Sequence, residues 1–416
     1  MRRSCALLFA LVALAPARGA DPKVSDSLQP FVEKKQLAGA VVLVASPDKV
    51  LTVETAGFAD REGAVAMQPD ALFWIASMTK PMTAAALMML VDEGKVSLDD
   101  PVEKYLPEFK GQMVVAEKDK DHVLLKNPRR VPTLRDCLRH TSGMPFGSAL
   151  ETPTIDKLLL KDAVRSYAIT PLQYEPGARY LYSNAGINTA GRVIEVVGGM
   201  SYEEFMAKRL FAPLGMTDTT WRPTEAQMKR VPKTYKPSKD GLYLEAMPIA
   251  PLAHPLSDPT RQPCPGGGLF STAKDVAAFG QMILTGGTKG NARLLSEASV
   301  RELTGTQTDD LLNKGKGEGG YGLGFSTTRK AKAGGREGGA APSEFIQLFL
   351  FVLPCAQAVF LQLFLAALRE HGGVLARGHP AGEGLGDGGL GGVERLGAGV
   401  GAAGKDLAVL MALGEG

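Results

Sequence analysis

Apolar and polar positions change period several times along this chain, and each change predicts an element. Residues 24 to 37 alternate at helical spacing and predict a short amphipathic helix. Two apolar runs follow, Gly39 to Ala45 and Val50 to Gly57, separated by Ser46-Pro47-Asp48-Lys49. Pro-Asp between apolar runs predicts an antiparallel hairpin. A loop through Asp60-Arg61-Glu62-Gly63 then leads to Phe73. From 78 to 93, Met82, Ala85, Ala86, Met89 and Leu90 recur at helical spacing, and Gly94 supplies a C-terminal stop. This segment is apolar all round, which predicts burial on every side. Asp99-Asp100-Pro101 predicts a short helix with Pro near its first position, and 133 to 140 a capped helical turn. Helical patterns recur near 156–168, 185–198, 201–211 and 272–285, interrupted by Pro and Gly. Strands first and helices in the middle predict an α/β fold class: an antiparallel sheet flanked by helices, with a mostly helical insertion over about 96–290.

Both ends depart from this pattern. Arg2-Arg3 precedes an apolar run from Ala6 to Ala15, and small residues offer cleavage after Ala17 or Gly19. Residues 1–20 therefore read as a signal peptide, with export to the periplasm or the exterior; a retained N-terminal anchor is the alternative. Residues 21–330 form the main domain, and 331–416 an atypical Gly/Ala/Leu-rich tail. No Ser, Thr, Asn, Tyr or Trp occurs after Ser343, and 16 of the last 46 residues are Gly. Such a stretch buries too little apolar area to offset its chain entropy. Within the tail, the 24 residues from 345 to 368 carry no charge and are long enough to span a bilayer. Three readings of the tail compete: an out-of-frame or misannotated translation, a membrane anchor with a flexible end, and a divergent folded segment.

Composition narrows the function classes. The 416 residues carry 47 Lys and Arg against 44 Asp and Glu, a net charge of +3, too small to argue for nucleic acid. The local runs Lys118-Asp119-Lys120-Asp121 and Lys126 to Arg130 read as solvated loops. Cys5 leaves with the signal. Cys137, Cys264 and Cys355 remain, and the sequence cannot pair them. The histidines are scattered without a His-Glu-x-x-His, so neither a metal nor a cofactor is expected. The sequence does not set the oligomeric state.

The candidate chemistry begins at Ser77-Met78-Thr79-Lys80, at the start of the apolar helix. Serine and lysine three residues apart lie on one helical face, one turn apart. A serine hydroxyl needs a neighbouring base to become a nucleophile, and a lysine serves as one once burial lowers its pKa. The same spacing occurs at Ser46 to Lys49, a turn, and at Ser271 to Lys274, a helix start with Thr272 as N-cap, so context decides. Tyr182-Ser183-Asn184 holds the chain's sole Tyr-x-Asn. A tyrosine beside an ammonium can act as general base and then general acid, and Asn184 can orient the lysine and a substrate carbonyl. The alternative is that Tyr182 packs in the core and Asn184 caps the following helix.

Together these segments resemble the serine β-lactamase and penicillin-binding-protein-like superfamily, in the branch of class C β-lactamases and related carboxylesterases. The resemblance covers about residues 28 to 328. It is carried by Phe73 to Lys80, Gly94 to Val102, Leu138-Arg139-His140-Thr141-Ser142-Gly143, Tyr182 to Gly186, Pro265-Gly266-Gly267-Gly268-Leu269-Phe270-Ser271-Thr272 and Tyr321 to Phe325. It implies a β-lactamase/transpeptidase-like fold, Ser77 as acylated nucleophile, Lys80 as the partner that helps deprotonate it, Tyr182 as general base and acid, and Asn184 as the substrate-orienting residue. The backbone N–H of Ser77 would form half of an oxyanion hole. His140, Ser142 and Gly143 match a structural signature. The glycines 266 to 268 lack the spacing of a phosphate loop and read as a tight turn beside the site.

The superfamily's third motif is a short strand with His, Lys or Trp, a small residue, then Gly. Glu337-Gly338-Gly339 has the wrong first residue, and His371-Gly372-Gly373 comes late. The C-terminal sheet strands are therefore expected to be missing. The expected activity is acyl-enzyme hydrolysis of a small-molecule ester, amide or β-lactam, leaning to ester. The alternatives are an inactive scaffold or broken gene product, and a cell-wall peptidase acting on D-Ala-D-Ala. The absence of Gly-x-Ser-x-Gly leaves the α/β-hydrolase route unsupported.

Overall fold

The computed structural model describes residues 23–238, 243–308, 311, 319–328 and 408–413. The hairpin forms as the pattern predicts. β1 (Gly39–Ala45) and β2 (Val50–Asp60) pair antiparallel, with Gly39 opposite Gly57 and Ala45 opposite Val50. Ser46 N–H donates to Lys49 O at 2.8 Å, so the first stray Ser-x-x-Lys closes the turn. β3 (Val65–Ala66) pairs antiparallel with β2 on its far edge.

On the other edge of β1 lies the strand Ala408–Leu413, also antiparallel, with Ala40 opposite Leu413 and Ala45 opposite Ala408. The expectation that the C-terminal sheet strands are missing is corrected to this extent. Residues 408 to 413 are apolar without interruption, long enough for a strand despite the Gly-rich sequence before them. β1 is buried along its length except at half-buried Val44. An apolar run without alternation suits a strand that is covered on its faces, and the helix Ala273–Leu284 packs against it. The second stray motif is the start of that helix, where Thr272 Oγ1 accepts the Asp275 N–H at 3.2 Å.

The helix Thr79–Asp92 is the centre of the molecule. Every residue from Thr79 to Leu90 is buried. It packs against the helices Asn184–Gly198 and Glu297–Thr304. One core runs from Val41 and Leu43 through Met82 to Leu90 and on to Leu323 and Phe325. Gly94, at φ +68°, ends the helix in the left-handed conformation that glycine adopts without strain.

Elsewhere the elements differ in detail. Residues 24 to 37 form a 3₁₀ turn, Val24–Ser27, and a separate helix, Gln29–Glu33, because Pro30 has no N–H and is tolerated only in a first turn. Pro101 flanks the 3₁₀ turn Val102–Lys104 rather than opening an α-helix. The 201–211 pattern is the helix Tyr202–Phe205 continuing in π geometry over Met206–Phe211. The middle also holds two hairpins that the pattern did not predict, Val114–Lys118 with Val123–Lys126 and Thr234–Pro237 with Leu244–Met247. The signal segment 1–20, the stretch 345–368, Glu337-Gly338-Gly339 and His371-Gly372-Gly373 lie outside the described residues. Among the described residues no helix is long and apolar enough to cross a membrane.

An ion pair that is almost fully buried fixes the connection leading to the glycine turn. Arg261 Nε donates to Asp156 Oδ2 at 2.6 Å, with side chains 2% and 1% exposed. Arg261 Nη1 also donates to Trp221 O, and the Ala253 N–H donates to Asp156 Oδ1. Asp156→Ala leaves a buried guanidinium without its counter-charge and should cost about 3–5 kcal/mol. Urea unfolding curves of the variant and parent check this; a loss under about 1 kcal/mol would show that water reaches the pair.

Candidate active site

Three segments meet at the N-terminal end of the buried helix. In the first, Phe73–Trp74 pairs with Phe270–Ser271, Ile75 N–H donates to Leu269 O at 2.9 Å, and Trp74 Nε1 donates to Gly267 O at 2.7 Å. The chain then turns at Ala76, at φ +42°, a conformation that costs a non-glycine residue energy and marks a constrained site. Thr79 Oγ1 donates to Ala76 O at 2.7 Å and holds the turn. Ser77 follows, half-buried, in the 3₁₀ turn Ala76–Met78 that feeds the helix.

Lys80 is 1% exposed. Its Nζ donates to Ser77 Oγ at 3.0 Å and to Gly266 O, and lies 4.6 Å from the centroid of the Tyr182 ring. Burial pulls its pKa from 10.5 down to about 7, against a smaller opposing effect of the Cys264 thiol. No carboxylate hydrogen-bonds this ammonium among the described residues. A desolvated lysine balanced near neutrality exchanges its proton readily.

The second segment carries Tyr182 and Asn184. His140 O accepts the Leu181 N–H at 2.9 Å, and His140 Nδ1 accepts the Ser183 N–H at 3.2 Å. Ser183 Oγ donates to Pro145 O, and Phe146 O accepts the Asn184 N–H. The loop from 140 to 146 thus fixes residues 181 to 184 in place. The imidazole of His140 is packed by Tyr180, Tyr182 and Tyr321, with centroids at 5.7, 4.4 and 4.7 Å. Burial, then the nearby Lys80 charge, push its pKa well below the usual value. His140 is therefore neutral and accepts through Nδ1, which puts its proton on Nε2 and suits a structural part rather than proton transfer.

Ser183, not Asn184, is the N-cap of the helix Asn184–Gly198: its Oγ accepts the Gly186 N–H at 3.1 Å. Asn184 is free of that duty. Its Oδ1 is buried without a hydrogen-bond partner among the described residues, and its side chain lies against Gly266, where a Cβ would come within 3.0 Å of Oδ1. Glycine at 266 is what permits this approach.

The third segment is the glycine turn itself. Gly267 and Gly268 N–H both donate to Cys264 O, and Gly266 O faces Lys80. The structure thus brings Ser77, Lys80 and Tyr182 together and places Asn184 beside the carbonyl that Lys80 uses. Sequence reasoning missed three residues that build this corner: Thr83, Asn188 and Gly266 through its carbonyl. Helical spacing carried a signal for two of them, since Thr83 lies one turn beyond Lys80 and Asn188 one turn beyond Asn184. Cys137 and Cys264 are buried free thiols, and Cys355 lies outside the described residues. Among the described residues no group of His, Cys, Asp and Glu could hold a metal ion.

A family model described as Beta-lactamase matches residues 24–360. Protein Rv1367c of Mycobacterium tuberculosis is 33% identical over 302 residues, covering 70% of this chain and 72% of that protein. Esterase EstB of Burkholderia gladioli is 29% identical over 292 residues, covering 64% and 70%. Among solved structures, "EstCE1, a hydrolase with promiscuous acyltransferase activity" superposes with a TM-score of 0.60 at 23% identity, over 73% of this chain and 82% of that one.

Proposed function

The chain belongs to the beta-lactamase family, and on that premise we propose that it hydrolyses an ester or amide through an acyl-enzyme on Ser77. The observation that carries this reading is the buried Lys80 ammonium 3.0 Å from Ser77 Oγ, with its pKa lowered to about 7. In its neutral form Lys80 accepts the Ser77 proton as Oγ bonds to the substrate carbonyl carbon. The carbonyl electron pair moves onto oxygen, where the Ser77 N–H donates to it. Tyr182, lying against the ammonium, passes a proton to the leaving alcohol or amine as its bond to carbon breaks. Asn184 orients the substrate carbonyl. Water then gives a proton to the Tyr182 phenolate as it attacks the carbonyl carbon of the ester on Ser77; the bond from that carbon to Oγ breaks, Oγ takes back the proton held by Lys80, and the acid leaves.

An ester substrate is favoured over a β-lactam, in line with the likeness to Esterase EstB. A putative D-alanyl-D-alanine carboxypeptidase of Escherichia coli, 27% identical over 254 residues (58% of this chain and 56% of that protein), makes a D-Ala-D-Ala peptide the second substrate to try. The test is to react the folded protein with a fluorophosphonate, map the adduct by peptide mass spectrometry, and assay a chromogenic ester beside a chromogenic cephalosporin. An adduct on Ser77 with ester turnover supports the proposal. Folded protein that takes no adduct, or takes it elsewhere, overturns it.

The pH dependence has a definite sign. The proton-accepting form of Lys80 predominates above about pH 7, so the acylation rate should climb about tenfold per unit below that pH and level off above it. Pre-steady-state release of the chromogenic alcohol across pH 5 to 9 reads this directly. A rate that is flat through this range would remove Lys80 from the proton-transfer step.

A further inference from the structure

Behind Lys80 lies a chain of buried polar groups whose donors all point the same way. Tyr167 Oη donates to Glu151 Oε1 at 2.5 Å. Glu151 Oε2 accepts the Ser148 N–H at 2.8 Å. With its proton committed to the carboxylate, Tyr167 Oη can only accept from Asn188, and Nδ2 donates to it at 2.9 Å. That fixes which way the Asn188 amide faces: Oδ1 must point to the other side, where it accepts the Gly266 N–H at 2.8 Å and the Cys264 thiol at 3.6 Å. The same peptide is held from its other end, because Thr83 Oγ1 donates to Pro265 O at 2.8 Å and accepts from Tyr202 Oη at 2.6 Å. The next carbonyl along, Gly266 O, accepts from Lys80 Nζ. Asn188 is 2% exposed, Tyr167 is fully buried, and Glu151 is 8% exposed.

We infer that Asn188, backed by Tyr167 and Glu151, is a positioning residue for Lys80: it locks the Pro265–Gly266 peptide so that the Gly266 carbonyl faces the ammonium beside Ser77. Two runs of donations meet at Gly266: its carbonyl accepts from Lys80, and its N–H, in the preceding peptide unit, starts a run through Asn188 and Tyr167 to Glu151. Within the run from the Gly266 N–H to Glu151 each bond polarises the next and so stiffens the turn that presents the Gly266 carbonyl. An acceptor on the ammonium favours its charged form, so the relay opposes the burial that pulls the Lys80 proton off. The other groups facing Lys80 are Ser77 from its own turn, the Tyr182 ring, the Cys264 thiol and neutral His140. Those facing Glu151 are Tyr167, Asn188, the Ser148 N–H and Cys264. The inference takes its functional meaning from the Ser77–Lys80 hydrolase reading, but its structural claim stands apart from it.

The experiment follows the Lys80 titration in full-length protein labelled with ¹³C-lysine, with its resonance assigned by loss in Lys80→Met. Asn188→Ala and Tyr167→Phe should each lower that titration by about one pH unit, the scale of one hydrogen bond to a charged group. The acid limb of fluorophosphonate labelling should move with it. Val193→Ala, a buried truncation five residues farther along the same helix, controls for simple loosening of the core and should leave the titration in place. If Asn188→Ala does not fold, Tyr167→Phe decides alone. A Lys80 titration that stays or rises in the folded variants, or falls equally in Val193→Ala, overturns the inference. If the parent protein takes no adduct on Ser77, the hydrolase reading fails, while the NMR titration still decides the relay.

Discussion

Ser77→Ala is expected to abolish fluorophosphonate labelling and to lower ester turnover roughly 10⁴- to 10⁶-fold, the range for removing a serine nucleophile outright. The fold should survive, because Ser77 is half-buried in a 3₁₀ turn whose geometry is held by its neighbours: Thr79 on Ala76 O, Trp74 on Gly267 O and Ile75 on Leu269 O. Alanine fits that backbone. Lys80 keeps its bond to Gly266 O, so the buried ammonium retains one acceptor. Ser46→Ala is the matched control. It destroys another Ser-x-x-Lys, but Ser46 sits in the hairpin turn, where its hydroxyl bonds Asp48 and Lys49. Intact-mass spectra and steady-state rates for the two variants, with circular dichroism for folding, give the answer. A Ser77→Ala protein that still takes the probe would place the nucleophile elsewhere.

Lys80→Met should cost roughly 10³-fold in acylation, within the span for a general base, and should at the same time make the protein more stable near and below neutral pH. Methionine fills about the same volume and carries no charge. The folded-state pKa of Lys80 is lowered from 10.5 to about 7. Between those values the unfolded chain holds a proton that the folded chain lacks, so folding becomes more favourable as pH rises through that window. Below about pH 7 the whole penalty of the buried charge is present. The stability advantage of Lys80→Met over the parent should therefore be largest at pH 6 and shrink steadily by pH 9. Urea melts of both proteins at the two pH values measure it, and an advantage that does not change with pH would mean that the ammonium is not desolvated. Activity and stability pull this position in opposite directions, as at other sites that hold a group out of its comfortable state.

Much of this arrangement was legible beforehand, for identifiable reasons. The β1–β2 hairpin and the Thr79–Asp92 helix announce themselves because period and turn chemistry are local. Ser77 and Lys80 are readable as a pair because they lie one turn apart on one helix. The partners that make Lys80 unusual are not local. Gly266 is 186 residues from Lys80 and contributes a backbone carbonyl, which no side-chain pattern reveals. Asn188 looks like any polar residue in a helix until Tyr167 and Gly266 are seen on either side of it. Asn184 was credible as a helix cap from its position, and only the hydrogen bond from Gly186 to Ser183 settles that the cap is one residue earlier. The strand Ala408–Leu413 was missed because composition was averaged over a tail rich in glycine, while strand formation depends on a short apolar run and an open edge on β1.

The helix that follows Ser77 is walled in from Thr79 to Leu90, packed on its helical neighbours and sharing one core with the sheet residues Val41 and Leu43. Around its N-terminal end stand connecting segments: the loop from 140 to 146, the approach to Tyr182, and the turn at 264 to 268. This builds the site from one walled-in helix and three connections tied down beside it by their own hydrogen bonds. On the proposed reading, substitutions at exposed positions of these connections alter which acyl group is admitted, while the bonds that hold Leu181, Asn184 and Gly266 keep the proposed nucleophile and its lysine in place. A lineage built this way can exchange one substrate for another in small steps without passing through a form that has lost its chemistry.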